Sequence, residues 1–359
     1  MLVRLKCVQK LRMLLLFLIG NLMDISNINL KTIRDRSKHL SQLVRHTPST
    51  ILSSKLISKH LDNSEIFLKL ECMQFTGTFK ARGALSVALE INKDKKKFGI
   101  TAASAGNHAI AAAWAAQQLG LSAKVVMQSN ANPFRIRAAK AEGAEIILKE
   151  PGAPTFKEAE RLVTEEQRTF IHPFEGIYTS LGASGVGLEL MDDIPDLDAV
   201  IVSVGGGGLI SGIAAAVKEL NNNCKVYGVE PEGANSMSQS LIKGQPVTLE
   251  KVDTIADSLS PPMALPMGLA ICQKYVDEIV PVNDDMICAG MALFQEEAKL
   301  AVEPAAGAAL AGMMLPLKPK LRNKRIGLIV CGANIDTNTY VSLITRGREN
   351  AHKLLQENK

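Results

Sequence analysis

The fold is decided by nine residues, Thr76-Gly77-Thr78-Phe79-Lys80-Ala81-Arg82-Gly83-Ala84. A strand-like run at 66–70 precedes them and helical spacing of apolar residues follows to position 91, so Thr78 is predicted to cap a helix. Lys80 then lies in the first turn, where the helix dipole and burial both favour loss of its proton. A neutral amine can form a Schiff base with a carbonyl. The alternative is a solvated lysine at a helix start, and the other motifs of the chain weigh against it.

The composition is that of a large folded protein. The chain has 359 residues, of which 47% are hydrophobic, enough for one large domain or two lobes. Its net charge is +5, but Arg4, Lys6, Lys10 and Arg12 account for four of those charges, so no basic nucleic-acid surface is predicted. The six cysteines lack CxxC or zinc-finger spacing, which predicts neither a zinc site nor disulfides and fits a reducing cytoplasm.

Residues 1–23 contain the four basic residues named above, followed by an apolar run, Met13–Gly20. Signal peptides have the same order of basic and apolar regions. That run is shorter than the roughly 20 apolar residues that span a bilayer. No small-x-small cleavage site follows before Asp24, and Met23 would serve as an alternative start. We therefore expect a cytoplasmic protein without stable membrane insertion, and leave this leader unassigned. Export is the alternative.

Strand and helix patterns alternate from about residue 66 onward. The predicted strands are 66–70, 99–103, 123–127, 144–148, 169–172, 199–204, 225–229, 278–282 and 325–330. Such βα units predict a two-lobed α/β fold of mostly parallel twisted sheets with helices on both faces. We expect a catalytic domain at 40–345, with a small lobe at about 87–174 inserted in a large lobe at about 40–86 plus 175–345. No C-terminal regulatory domain is expected.

Four consecutive glycines, Gly205–Gly208, follow an apolar strand and open a helix. Without Cβ atoms, successive backbone N–H groups can close around an anion, which predicts a phosphate-binding loop. The pattern is neither a P-loop nor GxGxxG. Glu230 follows about 20 residues on, where a dinucleotide-binding fold places its ribose-binding acid. A nicotinamide-dependent oxidoreductase is therefore an alternative, as is a tight turn without any ligand.

Two shorter motifs also stand at predicted strand ends. The segment Ser104-Ala105-Gly106-Asn107-His108 could hold a carboxylate or a ring hydroxyl, or it could cap the helix that it opens. The segment Val330-Cys331-Gly332-Ala333-Asn334 ends the last strand, on the edge where open α/β sheets place their sites. For Cys331 the alternative is buried packing.

Together, these motifs resemble the pyridoxal-phosphate enzymes of the tryptophan-synthase-β-like fold (fold type II), most closely the serine/threonine dehydratase (threonine ammonia-lyase) family. The resemblance extends from about residue 43 to residue 343 and implies pyridoxal 5'-phosphate as cofactor. It implies Lys80 and Ser104 as catalytic residues: the lysine carries the cofactor as a Schiff base and takes the substrate Cα proton, and the serine holds the substrate carboxylate. The other implied cofactor contacts are Phe79 against the ring, Asn107 at the ring hydroxyl, Gly205, Gly206, Gly207 and Gly208 at the phosphate, Glu303 near the ring and Cys331 at the pyridine nitrogen.

The resemblance implies β-elimination from L-threonine or L-serine, giving 2-oxobutanoate or pyruvate and ammonia, by a dimer or tetramer. Because Cys331 is a weak hydrogen-bond donor, it does not hold the ring nitrogen protonated as transamination needs, and prompt elimination is favoured. Other lyases of β-hydroxy amino acids, such as 3-hydroxyaspartate dehydratase, are alternatives. So are a racemase and a non-catalytic amino-acid-binding relative.

Two positions depart from the family pattern. Family racemases have a serine where this chain has Ala105, and alanine cannot transfer protons, which disfavours racemisation. A divalent-cation site of some relatives would fall on Glu230, Ala234 and Ser236. Since a neutral hydroxyl at Ser236 replaces a carboxylate, no tight metal site is expected.

Overall fold

The computed structural model describes residues 25–355, and the predicted leader at 1–23 lies outside these residues. The strands are β1 Ser49–Ile51, β2 Glu65–Lys69, β3 Ile100–Ala103, β4 Ala123–Gln128, β5 Glu145–Lys149, β6 Thr169–Phe170, β7 Ala199–Ser203, β8 Lys225–Pro231, β9 Glu278–Val282 and β10 Arg325–Ile329. The α-helices are α1 Leu30–Leu40, α2 Lys55–His60, α3 Lys80–Ala88, α4 Asn107–Gln118, α5 Pro133–Ala141, α6 Ala153–Thr164, α7 Ile177–Asp193, α8 Gly208–Leu220, α9 Ser236–Lys243, α10 Pro266–Tyr275, α11 Asp284–Leu293, α12 Pro304–Met314, α13 Lys318–Leu321 and α14 Thr337–Leu355.

These strands form two sheets. The large sheet has the order β1-β2-β10-β7-β8-β9, and the small sheet has the order β5-β4-β3-β6. Every neighbouring pair is parallel except β1 with β2, which is antiparallel. The central position of β10 follows from its register, because Ile326 pairs with Ile66 on one side and with Ala199 on the other. The predicted α/β fold with mostly parallel sheets is confirmed.

The central strand β7 is buried along its whole length because helices cover both faces of the sheet. All five residues of β7 are buried, the pattern expected of a parallel strand that meets no solvent on either side. No helix within residues 25–355 has the length and apolar character needed to cross a membrane.

Close helix packing fixes α3 against α7, and α7 against α8. A Cβ at Gly182 of α7 would lie 2.6 Å from the carbonyl oxygen of Arg82 in α3, and one at Gly212 of α8 would lie 2.3 Å from the carbonyl oxygen of Ser180. Only glycine allows these backbones to approach so closely. The three helices therefore hold Lys80, at the start of α3, at a fixed position relative to Gly208, at the start of α8.

Buried ion pairs tie α3 to the sheet as well. The guanidinium of Arg82 binds Glu71 at 2.8 Å and Glu189 at 2.7 Å, and Lys69 binds Glu189 at 2.9 Å. Arg82 and Glu71 are fully enclosed, so removing either partner would leave a buried charge unpaired, at a cost of about 3–5 kcal/mol. The helix that presents Lys80 is thus anchored at its first turn.

Candidate active site

Lys80 is the first residue of α3, and the residue as a whole is half-buried. The residue before the helix is Phe79 rather than the predicted Thr78, although the hydroxyl of Thr78 still accepts a hydrogen bond from the backbone N–H of Lys80 at 3.3 Å. The Lys80 Nζ donates to the carbonyl oxygen of Pro173 at 2.6 Å. Burial lowers the pKa of Lys80 to about 8, while the nearby Cys331 and Glu303 oppose this shift. The amine is therefore much easier to deprotonate than an exposed lysine.

A cavity beside Lys80 is lined by His108 and His172, together with Thr179 and Gly208. Burial, and the positive charge of Lys80, lower the pKa of each histidine to about 3, so both rings are neutral. The Nδ1 of His172 accepts hydrogen bonds from the backbone N–H groups of Glu175 at 2.9 Å and Phe174 at 3.3 Å, which places its proton on Nε2. The histidines thus surround the lysine without adding a positive charge.

The glycine loop joins β7 to α8. Gly207 has a φ of +89°, and a Cβ at Gly206 would lie 2.3 Å from the ring of Phe174. Among the described residues, none accepts a hydrogen bond from the backbone N–H groups of Gly205–Gly208. Unpaired donors at the start of a long helix form a cradle for an anion. These residues therefore fit a phosphate group.

Asn107 and Glu303 meet between the two sheets. Asn107 begins α4 beside the small sheet, and its Nδ2 donates to both carboxylate oxygens of Glu303 at 2.9 and 2.8 Å. Glu303 directly precedes α12 and also accepts from the hydroxyl of Ser258 at 3.2 Å. Burial raises the pKa of Glu303, since 2% of the residue is exposed. Asn107 and Glu303 thus form a buried, hydrogen-bonded polar pair in the site.

Cys331 lies just beyond β10, and its carbonyl oxygen accepts from the backbone N–H of Phe79 at 3.1 Å. This bond brings the end of the central strand next to the start of α3. Burial raises the pKa of the Cys331 thiol well above its usual value, and Glu303 adds to the effect, so the sulfur is neutral. The structure thus brings Phe79, Lys80, Glu303 and Cys331 together.

Ser104 lies in the loop between β3 and α4. Its Oγ accepts from the backbone N–H of Gly106 at 3.1 Å. Neither Ser104 nor Asn107 caps α4, because the residue before the helix is Gly106 and no side chain bonds to the free N–H groups there. The helix-capping alternative for this segment is wrong.

Glu230 has a structural role. Its two carboxylate oxygens accept from the backbone N–H groups of Met237 and Ser238, both at 2.9 Å, and so cap α9. The hydroxyl of Ser236 is buried without a partner. One engaged carboxylate and one hydroxyl do not fit a divalent cation, and in residues 25–355 no group of three or more His, Cys, Asp or Glu side chains is placed to hold a metal. The ribose-binding role is likewise unsupported, because both oxygens are already bound.

Several residues of the site were missed by sequence reasoning. They are Arg135, His172, Pro173, Asp257 and Ser258. His172 stands directly at the end of a predicted strand, which is a usable signal. The others come from loops and a helix whose sequences carry no recognisable pattern.

This combination of a buried lysine, a phosphate cradle and a mostly parallel α/β fold defines a pyridoxal-phosphate-dependent enzyme. Residues 40–332 match the family model described as "Pyridoxal-phosphate dependent enzyme", and the chain belongs to that family. The predicted family and cofactor are confirmed.

Relatives of known activity narrow the class. The chain is 42% identical to the phenylserine dehydratase of Ralstonia pickettii, over 87% of this chain and 95% of that protein. It is 35% identical to the L-threonine ammonia-lyase of Thermotoga maritima, over 89% of this chain and 79% of that one. The structure of maize serine racemase superposes with a TM-score of 0.83 at 32% identity, covering 90% of this chain and 99% of the racemase. The protein is thus an enzyme of the threonine dehydratase and serine racemase family.

Proposed function

We propose that the protein deaminates β-hydroxy-L-amino acids by β-elimination, converting L-threonine to 2-oxobutanoate and L-serine to pyruvate, with release of ammonia. The observation that carries this proposal is the buried Lys80 amine, whose pKa is lowered to about 8, placed beside the neutral thiol of Cys331. Removal of a Cα proton needs an amine whose pKa lies near the working pH, so that part of it is neutral and can accept the proton. A neutral thiol at the position implied for the ring nitrogen favours rapid loss of the β-substituent.

Pyridoxal phosphate, when bound, withdraws electrons from the substrate Cα and so makes its proton acidic. Gly205–Gly208 would hold its phosphate and Lys80 its aldehyde carbon. Lys80 Nζ, once free, takes the Cα proton. Water is lost across the Cα–Cβ bond and then added back at Cα as ammonia leaves, so no oxidant or reductant is required.

The remaining residues hold the reactants. Ser104 would bind the substrate carboxylate: its oxygen accepts from the backbone N–H of Gly106, and its O–H proton is left to donate. Asn107 and Glu303 flank the cofactor ring, and the raised pKa of Glu303 favours its neutral, proton-holding form. The shielding of Asn107 and Glu303 from solvent strengthens each of their contacts.

Phenylserine is a second candidate substrate, because the relative at 42% identity is a phenylserine dehydratase. A substrate with a second carboxylate, such as 3-hydroxyaspartate, is disfavoured. The guanidinium of Arg135 lies against the Ser104 loop, since a Cβ at Gly106 would be 3.4 Å from its Nη1, but this charge is already paired with Asp257. Arg135 is therefore not available to bind a second carboxylate of the substrate.

The test is a substrate panel. Purified holoenzyme is incubated with L-threonine, L-serine, both diastereomers of phenylserine and 3-hydroxyaspartate, and 2-oxo acid and ammonia are measured together with the chirality of the remaining substrate. We expect equal amounts of 2-oxo acid and ammonia from at least one neutral β-hydroxy amino acid. Formation of D-amino acid without 2-oxo acid would mean a racemase instead. The predicted cytoplasmic homo-oligomer is also part of the proposal, and light scattering of the purified protein measures its assembly.

A further inference from the structure

Arg135 connects the part of the molecule around the small sheet to the part around the large sheet, close to the candidate active site. It belongs to α5 beside the small sheet, and 8% of its side chain is exposed. Its guanidinium forms a two-point ion pair with Asp257, in which Nη2 lies 3.1 Å from Oδ1 and Nη1 binds Oδ2. The same Nη2 donates to the carbonyl oxygen of Asn334 at 3.2 Å. Asp257 begins a short 3-10 helix and Asn334 lies in the loop after β10, so one side chain joins three segments.

These contacts close a ring of hydrogen bonds that is completed by two covalent links, one within Asn334 and one between Asp257 and Ser258. Asn334 donates from Nδ2 to Asn107 Oδ1 at 3.0 Å, and Asn107 donates to both oxygens of Glu303. Glu303 also accepts from Ser258, the neighbour of Asp257, at 3.2 Å. The circuit returns through Asp257 to Arg135. Each member therefore limits the positions that the next can take.

We propose that Arg135 is a positioning residue of the reaction, which holds Asn107 and Glu303 in place by fixing Asn334 and Asp257. This inference rests on the proposed roles of Asn107 and Glu303 at the cofactor ring, but not on the choice of substrate. Arg135 makes no hydrogen bond or ion pair with either side chain, so it positions them through the residues it binds; its positive charge also opposes the rise in the pKa of Glu303 that burial causes.

The chemistry of the side chain supports this role. A guanidinium offers several donors in a rigid planar fork, which matches a carboxylate on one side and a carbonyl oxygen on another. A lysine at this position would keep the charge but could not satisfy both acceptors of Asp257 and the Asn334 carbonyl in the same geometry. Since 55% of the Asp257 side chain is exposed, solvent screens part of the attraction within the ion pair. The main effect of the ion pair is to fix the position of Asp257 relative to Arg135 and the Asn334 carbonyl oxygen.

The test compares R135K and R135Q with the matched control R168K. Arg168 also lies beside the small sheet with 10% of its side chain exposed, but it binds Glu166 and Ser122 and does not cross to the large sheet. For each holoenzyme we would measure the absorption maximum of bound pyridoxal phosphate without substrate, and then kcat and KM. We expect R135K and R135Q to shift the absorption maximum and to lower kcat at least tenfold with KM within threefold. R168K should leave all three unchanged.

Two further outcomes separate the explanations. D257N keeps the shape of the partner but removes its charge, so it should reproduce the spectral shift in weaker form and serves as the second variant if R135Q does not fold. A Tm decrease in R135K and D257N without any change in the absorption maximum or kcat would overturn the proposal, since the ion pair would then be only structural. A spectral shift in an enzyme that deaminates none of the panel substrates would leave this inference standing while refuting the proposed function.

Discussion

Asn107 donates from a single amide nitrogen to both carboxylate oxygens of Glu303, at 2.9 and 2.8 Å. The bond joins the first residue of α4, beside the small sheet, to the residue that precedes α12, beside the large sheet. A buried acid held in this way cannot turn toward solvent. Its protonation is controlled by the interior of the site.

Replacing Glu303 tests this relationship. In E303Q one of the two acceptor oxygens becomes an NH2 group, so the Asn107 amide keeps one acceptor, and we expect kcat to fall at least tenfold with a small change in Tm. In E303A the amide loses both acceptors and Asn107 becomes an unsatisfied buried donor, at a cost of about 1–3 kcal/mol. Steady-state kinetics and urea unfolding measure both effects. Unchanged kcat in E303Q would remove Glu303 from the account.

The glycine loop predicts a loss of cofactor affinity in G206A. The added methyl group would lie 2.3 Å from the ring of Phe174, so the loop must move and its N–H groups diverge. We expect the Kd for pyridoxal phosphate, measured by fluorescence titration of apoprotein, to rise at least tenfold. The double variant G206A/F174A removes the obstructing ring and should recover part of the affinity. Equal Kd values for the wild type and G206A would contradict a phosphate-binding role.

Ala105, next to Ser104, predicts that the enzyme favours elimination over racemisation. Because Ala105 has no group that can move a proton, elimination should proceed without inversion at Cα. Introducing a hydroxyl in A105S should give measurable D-serine from L-serine, detected by chiral chromatography, while 2-oxo acid formation falls. If the wild type already racemises L-serine as fast as it deaminates it, proton transfer must come from another residue.

Glu230 predicts a pH dependence of stability. Burial raises its pKa from 4.5 to about 7 in the folded protein, so the folded state holds the proton more tightly than the unfolded state. Stability is then lost as the pH rises from 4.5 to 7, relative to a variant that cannot ionise, by up to about 3 kcal/mol. Urea unfolding of the wild type and E230Q at pH 5 and pH 8 checks this difference. Parallel pH profiles would show that Glu230 is ionised in both states.

The repeated βα units could be predicted from the sequence because each strand is a short apolar run followed by helical spacing. The prediction for β9, 278–282, agrees with the observed bounds, and the other predicted strands differ at their ends by one or two residues. In contrast, β1 was missed because three residues carry no periodic pattern, and its antiparallel pairing with β2 has no local signal. Helix α1 was also missed, although Asn29 and Thr32 have the spacing of a capping box, and they do form its two reciprocal hydrogen bonds.

The positions of site residues were predictable where they depend on one local motif, as at Lys80 and the four glycines. It was not predictable where contacts join distant segments. Arg135 meets Asp257 across 122 positions of sequence, and neither residue belongs to a motif. For Glu230 the sequence suggested a ribose or a cation, whereas the structure pairs it with the backbone of α9, a partner that side-chain patterns do not reveal.

The central claim is that Lys80 carries the cofactor, and borohydride reduction tests it most directly. The holoenzyme is reduced, digested and analysed by mass spectrometry, with K80A as the control. We predict a phosphopyridoxyl group on the peptide that contains Lys80, and no such group in K80A. A modified peptide elsewhere in the wild type, or an unmodified Lys80 in yellow, active holoenzyme, would contradict the account.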